Sequence, residues 1–413
     1  MRRLRIAVYH NLHSGGAKRV TIEHLRRLSA RHEVMLFTLS TADQAFAGAV
    51  DEDHIKSVVH DYKPAPYLRS PFGRFNPIVG MRNLKLLEDV SLKVAADIDA
   101  RGFDAVLLHP CQVTQSPLVL NGLRTPALYY CHELPRRVYD PDLSRPYSAR
   151  SSRQVALDRF DPVKTRIFDL LKAYDYNAAI KATQITANSK YTRSNAERVY
   201  RRQVSVCPPG VDAGKFQPGE SERERLVLSV GALTPFKGFD FIIQAIGTTG
   251  EAQRPPLLII SNYQEPRELA FLTALAAQCK VQVEFRANVS DAELQGWYAR
   301  AGCMAYAPVR EPFGLAALEA MAAGAPVVGV NEGGVRETIV DGVTGVLAPR
   351  NAAEFGQRIM EVLRDPRRAE RYTAAARKHV IARFNWEDHM AQIEALLQDV
   401  AKARKWAPAV SLP

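Results

Sequence analysis

Cysteine is scarce and scattered: five residues in 413, an odd number, with no Cys-x-x-Cys pair. A disulfide frame and a paired-cysteine zinc site are therefore excluded as organising devices, and the thiols read as small buried residues of a reducing compartment. No run approaches 18 consecutive apolar residues, so a spanning helix is not expected. The apolar run after Arg2, Arg3 and Arg5 is too short for a signal-peptide core and reads as a first strand. Internal repeats and low-complexity tracts are missing. So are helix-turn-helix, zinc-finger and RNA-binding patterns, which removes nucleic acid as an expected partner despite a net charge of +11.

What is present is a globular composition, 46% hydrophobic and 24% charged, on a chain long enough for two domains. The basic balance fits an anionic membrane surface, a phosphorylated substrate, or simply a solvated surface. Short apolar strands are expected at 4–9, 33–38, 105–108, 127–130 and 184–187, with a Gly-rich turn ending in Gly15-Gly16 and a helix over 17–30. A second series follows at 226–230, 257–260, 281–285, 303–307 and 327–330, with a helix at 240–247. Strands alternating with helices argue for an α/β protein of two Rossmann-like halves with parallel sheets. The charged, Pro- and Gly-bearing stretch 214–225 is the candidate linker. The expected division is 1–212, 213–385 and an amphipathic helical tail, 386–413.

The stretch Glu311-Pro-Phe-Gly-Leu-Ala-Ala-Leu-Glu319 is the most informative. It places one carboxylate on a Pro/Gly turn and a second inside a short helix of small residues. Free N–H groups at a helix start near Gly314 attract phosphate. Flanking carboxylates would repel phosphate and make better acceptors for sugar hydroxyls. Together they suggest a nucleotide-sugar site, whereas either Glu alone reads equally as a dipole-complementing or solvated residue.

The block continues through Asn331-Glu-Gly-Gly-Val-Arg-Glu337 and Asp341-Gly-Val-Thr-Gly345, and it resembles the E-x(7)-E signature of the retaining family 4 glycosyltransferases. That resemblance implies the GT-B fold: two Rossmann-like domains across a cleft, with the last helix crossing back onto the first. Ser229-Val-Gly231-Ala-Leu-Thr-Pro-Phe-Lys237-Gly238 is similar to the family's diphosphate-binding turn. Lys237 matches, but Ala232 stands where an Arg is common; Arg310, beside Glu311, is one candidate substitute. Tyr129-Tyr-Cys-His132-Glu133 is similar to the strand end that carries the family's active-site His, with His109 the second choice. The resemblance makes His132, Glu311 and Lys237 catalytic, Glu311 on the donor sugar and Glu319 on the ribose. Gly15, Gly16, Gly231, Phe313, Gly314 and Leu315 join them in binding the donor. In Phe285-Arg286-Ala-Asn-Val289, the loop that normally meets the base, Arg286 and Ala287 replace the usual Leu and Gly, which bears on donor identity.

The activity implied is retaining, metal-independent transfer of a hexose from a UDP- or GDP-sugar, without a cofactor. A nucleotide-sugar epimerase or hydrolase, or a non-catalytic binding relative, stays open. Asp51-Glu-Asp53 and Asp97-Ile-Asp99 satisfy a D-x-D metal pattern but read as surface pairs. The Arg- and aromatic-rich stretches 62–85 and 135–153 suit a glycan, lipid-linked or small-molecule acceptor that is anionic or membrane-borne. The expected location is cytoplasmic, peripheral at the inner face of the membrane.

Overall fold

A computed structural model describes residues 2–44, 55–69, 75–140, 143–148, 162–219 and 222–403. Two parallel sheets organise them. The first contains β1 (Arg5–Asn11), β2 (Glu33–Leu39), β3 (Lys56–His60), β4 (Ala105–Cys111), β5 (Ala127–Cys131), β6 (Gln184–Ala187) and β7 (Ser205–Val206), in the order β3-β2-β1-β4-β5-β6-β7. The second contains β8 (Glu224–Val230), β9 (Leu257–Ser261), β10 (Val283–Ala287), β11 (Ala301–Tyr306), β12 (Val327–Val330) and β13 (Val346–Ala348), in the order β10-β9-β8-β11-β12-β13. Registers such as Ile6↔Val34, Ile6↔Ala105, Leu228↔Leu258 and Met304↔Val327 confirm the parallel pairing. Each sheet reverses its strand order once, between β1 and β4 and between β8 and β11. Open α/β sheets bind ligands outside the strand C-termini at such reversals.

Helices of two turns or more cover the sheets: α1 (Gly16–Ser29), α2 (Asn76–Ala100), α3 (Pro162–Ala179), α4 (Lys190–Tyr200), α5 (Phe239–Gly247), α6 (Pro266–Gln278), α7 (Asp291–Arg300), α8 (Leu315–Ala322), α9 (Ala352–Arg364), α10 (Pro366–Arg383) and α11 (Trp386–Ala403). Several begin on the side-chain caps their sequences offer. Ser189 accepts from the Thr192 N–H, Ser290 and Glu293 form a capping box, and Asn351 accepts from the Glu354 N–H.

The tail helix α11 returns to the first half. Trp386, Met390, Ile393, Leu397 and Val400 recur at alternating steps of four and three and are all buried, in one cluster with Ile6, Val8, Leu25, Leu107 and Tyr130. Each such side chain contributes on the order of 2 kcal/mol when removed from water. This helix is therefore an integral layer of the first half's core.

Three features go beyond the sequence reading. Strands β3, β7 and β13 had no sequence expectation, being short or polar. Residues 76–85, grouped with an acceptor-side basic stretch, form the first turns of α2. The stretch expected to link the halves is tied down where described: Phe216 is buried against Tyr298, and Arg377 of α10 donates to the carbonyls of Ala213 and Phe216. Among the described residues no helix is long and apolar enough to cross a membrane.

Candidate active site

The loops after β1, β4, β5, β8 and β11 meet where the two sheets face each other. After β1, Gly15 takes φ 150° and ψ −175°, a region open to glycine alone, and starts α1 without a side-chain cap. Opposite it, Gly314 starts α8, also without a side-chain cap. A methyl group at Gly16 would touch Leu315 Cδ1 at 3.4 Å, so the two uncapped helix starts abut across the cleft. Their free N–H groups and positive dipole ends form an anion-attracting pair.

Glu311 sits on the turn before α8. Gly334 donates to its carbonyl at 2.7 Å, and a Cβ on Gly334 would stand 2.2 Å from the Pro312 carbonyl oxygen. The Gly333-Gly334 pair thus presses on the turn and fixes it, and leaves no room for a side chain at either position. Lys237, in the turn after β8, places Nζ 2.9 Å from Glu311 Oε2 and 3.2 Å from Oε1. Its stem runs along Gly231, where a Cβ would meet it at 3.2 Å. Burial pushes the Glu311 carboxyl up, but Lys237, Arg136 and the Tyr306 hydroxyl together outweigh it and hold it below the ordinary value.

Arg136 comes from the first half, on a single helical turn, Arg136–Tyr139. Its Nε donates to Glu133 Oε2 at 2.8 Å and its Nη1 to the Val309 carbonyl at 2.9 Å. Nη2 lies 4.0 Å from Glu311 Oε2, and the guanidinium stacks 5.0 Å over Phe236. It is the cation that sequence reasoning missed. The available signal was its position four residues after His132. Arg310, the substitute suggested by adjacency, is instead exposed, with φ 49° and its guanidinium 3.4 Å from Asp140.

Glu319 is buried on α8, where it accepts from Arg19 Nη1 at 2.8 Å and from the Tyr298 hydroxyl at 3.2 Å. Burial raises its carboxyl, against the opposing pull of Arg19. Arg19 lies on α1 and also reaches Asp291 at 3.3 Å, so it spans the cleft.

His132 follows β5. Its ring is buried, its Nε2 lies 3.2 Å from His109 Nδ1, and its carbonyl accepts from Asn188 Nδ2 at 2.9 Å. Burial pushes the imidazole down to about 3, so it is neutral at ordinary pH. His109 is fully buried with both ring nitrogens engaged, and backs His132 rather than facing the cleft.

The Phe313 ring is core, packed on Phe384 at 5.7 Å. Leu315 is half-buried between the two halves' clusters. Arg286 and Val289 lie at or beyond the end of edge strand β10. Arg286 pairs with Glu284 at 2.6 Å and stacks on Trp297, while Val289 leans on the second half's core. Among the described residues, neither is hydrogen-bonded or ion-paired to Lys237 or Glu311.

Of the D-x-D pairs, residues 51–53 lie outside the described residues. Asp97 pairs with Arg101 and His60, whereas Asp99 accepts from the N–H groups of Arg124 and Thr125. Each aspartate thus has a structural partner of its own.

Further contacts lock the halves together. Glu337 accepts from the N–H groups of Lys190 and Tyr191 at 2.8 and 2.7 Å, and Ser189 Oγ donates to the Pro312 carbonyl at 2.6 Å. Buried Arg145 joins Glu268 and Asp240 at 3.0 and 2.9 Å. A shallow hollow of about 520 Å³ lined by Thr248, Gln253, Gln357 and Arg364 shares no residue with this constellation.

Two family models match the chain: Glycosyltransferase Family 4 over residues 14–215 and Glycosyl transferases group 1 over residues 211–379. A D-inositol 3-phosphate glycosyltransferase of Xylanimonas cellulosilytica is 33% identical over 244 residues, 53% of this chain and 57% of that protein. A GDP-mannose-dependent alpha-(1-6)-phosphatidylinositol monomannoside mannosyltransferase of Mycobacterium tuberculosis is 30% identical over 244 residues, 53% of this chain and 63% of that one. The chain thus spans about half the length of the curated relatives it matches. Among solved structures, Anabaena Alr3699/HepE in complex with UDP and glucose superposes with a TM-score of 0.71 at 19% identity, covering 96% of this chain and 100% of that one. That likeness establishes the two-sheet GT-B architecture with the returning last helix.

Proposed function

This chain belongs to the group 1, family 4 glycosyltransferases, and from that premise we propose that it moves a hexose from a nucleoside diphosphate sugar to an acceptor hydroxyl with retention of anomeric configuration. The observation that carries this reading is the convergence of Lys237, Glu311 and Arg136, drawn from both halves, beside the uncapped start of α8. A diphosphate brings two or three negative charges to this point. Lys237 then has a stronger partner than one carboxylate, and its transfer to phosphate frees Glu311 to accept hydroxyl protons from the sugar.

Arg136 supplies the second cation that Ala232 does not. As the bond from the anomeric carbon to phosphate breaks, charge grows on the departing oxygen, where preorganised donors are each worth ~3 kcal/mol. The acceptor oxygen bonds to the same face of that carbon, and its proton passes to the departing phosphate. Glu319 receives ribose hydroxyls once Arg19 yields, and His132 faces the donor sugar.

The donor is a UDP- or GDP-sugar, and the acceptor an anionic or lipid-linked molecule. The +11 charge supports the latter, as do relatives named for inositol phosphate and phosphatidylinositol mannoside substrates. We assign residues 1–212 to the acceptor side, 213–385 to the donor and 386–413 to the returning segment, with the protein acting in the cytoplasm at the inner membrane face. The test is UDP and GDP release across a panel of nucleotide sugars. Each is run with and without a phosphorylated polyol or a lipid-linked glycan, and product configuration is read by NMR. Acceptor-dependent release with a retained anomer is expected. Acceptor-independent release would make the protein a hydrolase, and no release with any donor would overturn the assignment.

A further inference from the structure

Behind His132 runs an unbroken line of imidazoles drawn from four elements. His132 Nε2 lies 3.2 Å from His109 Nδ1 at the end of β4, and His109 Nε2 lies 3.1 Å from His24 Nδ1 on α1. His24 Nε2 lies 2.6 Å from His389 Nε2 on α11, and His389 Nδ1 lies 2.8 Å from the Pro208 carbonyl oxygen. Tyr130 stands edge-on to His24, His132 and His389 and donates to the Cys207 carbonyl at 2.7 Å; Trp386 closes the far side. His24, His109, His132 and His389 are all buried.

A carbonyl oxygen only accepts, so the proton at His389 is on Nδ1. The other reading, in which His389 Nδ1 accepts from the Cys207 thiol 3.2 Å away, would set two lone pairs against each other at Pro208. With Nδ1 protonated and the ring neutral, His389 Nε2 must accept, so His24 Nε2 donates. His24 Nδ1 then accepts from His109 Nε2, and His109 Nδ1 accepts from His132 Nε2. Burial keeps every ring neutral, which leaves each with one proton and no second choice.

We propose that these four histidines form a tautomer relay, in which the Pro208 carbonyl and α11 fix His132 with its proton on Nε2 and its Nδ1 lone pair available to accept a hydrogen bond. Resting on the glycosyl-transfer reading, that lone pair is the acceptor for a hydroxyl of the bound sugar. His109, His24 and His389 are positioning residues. Reversing the line would turn His132 Nδ1 into a donor, so that the same hydroxyl would have to accept there instead of donating. The returning helix thereby contributes to the site without touching it.

The full chain, selectively ¹⁵N-labelled at histidine and without substrate, is read by long-range nitrogen–proton correlation NMR, with resonances assigned by single His→Gln substitutions. The expected spectrum shows His389 protonated on Nδ1, the minor form of free imidazole side chains, and His24, His109 and His132 protonated on Nε2. His389 protonated on Nε2, or His132 with mixed tautomers, would overturn the relay. His389→Phe removes the anchor and should give His132 averaged tautomers. His389→Gln, which can still donate to Pro208 and accept from His24, should restore one. In turnover assays, about a tenfold loss of kcat at unchanged donor KM is expected for His389→Phe, with recovery in His389→Gln. Equal losses in both variants would make the role merely structural. Because the unmodified protein's spectrum needs no substrate, it decides the relay even if no sugar is transferred.

Discussion

Removing Arg136 tests whether this chain has moved a phosphate-binding cation from one side of the cleft to the other. The guanidinium stands 4.0 Å from the Glu311 carboxylate, and two unit charges at that distance interact by about 4 kcal/mol at an effective dielectric constant near 20. Its side chain is 16% exposed, so water screens part of this, and Lys237 remains in place. We expect Arg136→Ala to lose about 2–3 kcal/mol of transition-state stabilisation, or roughly 10²-fold in kcat. The variant also loses the bonds to Glu133 and the Val309 carbonyl and the stack on Phe236, so thermal unfolding must be measured beside turnover. Arg136→Lys, which keeps the charge without the planar fork, should fall between. The decisive variant adds Ala232→Arg to Arg136→Ala, returning a cation to the position where relatives commonly carry it. Recovery of at least about tenfold is expected. Turnover of Arg136→Ala within about threefold of wild type, or no recovery in the double variant, would refute the reasoning.

Glu311→Gln should lose at least about 10²-fold in transfer, with its melting temperature little changed. The backbone bond from Gly334 to the Glu311 carbonyl is untouched; near-normal turnover would remove Glu311 from the mechanism. Activity should survive EDTA, since in the proposed reading Lys237, Arg136 and the two helix starts meet the diphosphate charge that a metal would otherwise neutralise. Loss restored by Mg²⁺ or Mn²⁺ would return attention to residues 51–53. Acid should weaken the fold through the imidazole line. Burial holds His389 down to about 4 against an ordinary value of 6.5, so between these values the unfolded chain binds the proton and the folded one does not. Stability is then full above about pH 6.5 and falls as pH drops towards 4, by up to ~3 kcal/mol for this one group. Between pH 7 and pH 5 the urea midpoint of wild type should fall further than that of His389→Gln, which lacks this titrating group, and parallel pH profiles would contradict it.

Much of the fold was legible because it rests on local regularities. Parallel strands buried on both faces appear as short apolar runs, and the stripe on α11 appears as steps of four and three from Trp386 to Val400. The strands that escaped, β3, β7 and β13, are short or only half-buried. The turn at Glu311 and the uncapped starts at Gly15 and Gly314 could be read in the same way, because a chain turn and a helix start involve only adjacent residues.

What the sequence by itself determined is therefore the two-sheet α/β architecture, the loops after strands that carry Gly15, His132, Lys237 and Glu311, and the helix that carries Glu319. The tertiary structure alone decided the partners. That Arg136 rather than Arg310 stands beside Glu311, that Arg19 occupies Glu319, and that His24, His109 and His389 line up behind His132 depend on residues up to 365 positions apart. No local period encodes such contacts, because burial and charge pairing between distant elements exist only once both sheets have formed and brought their loops together.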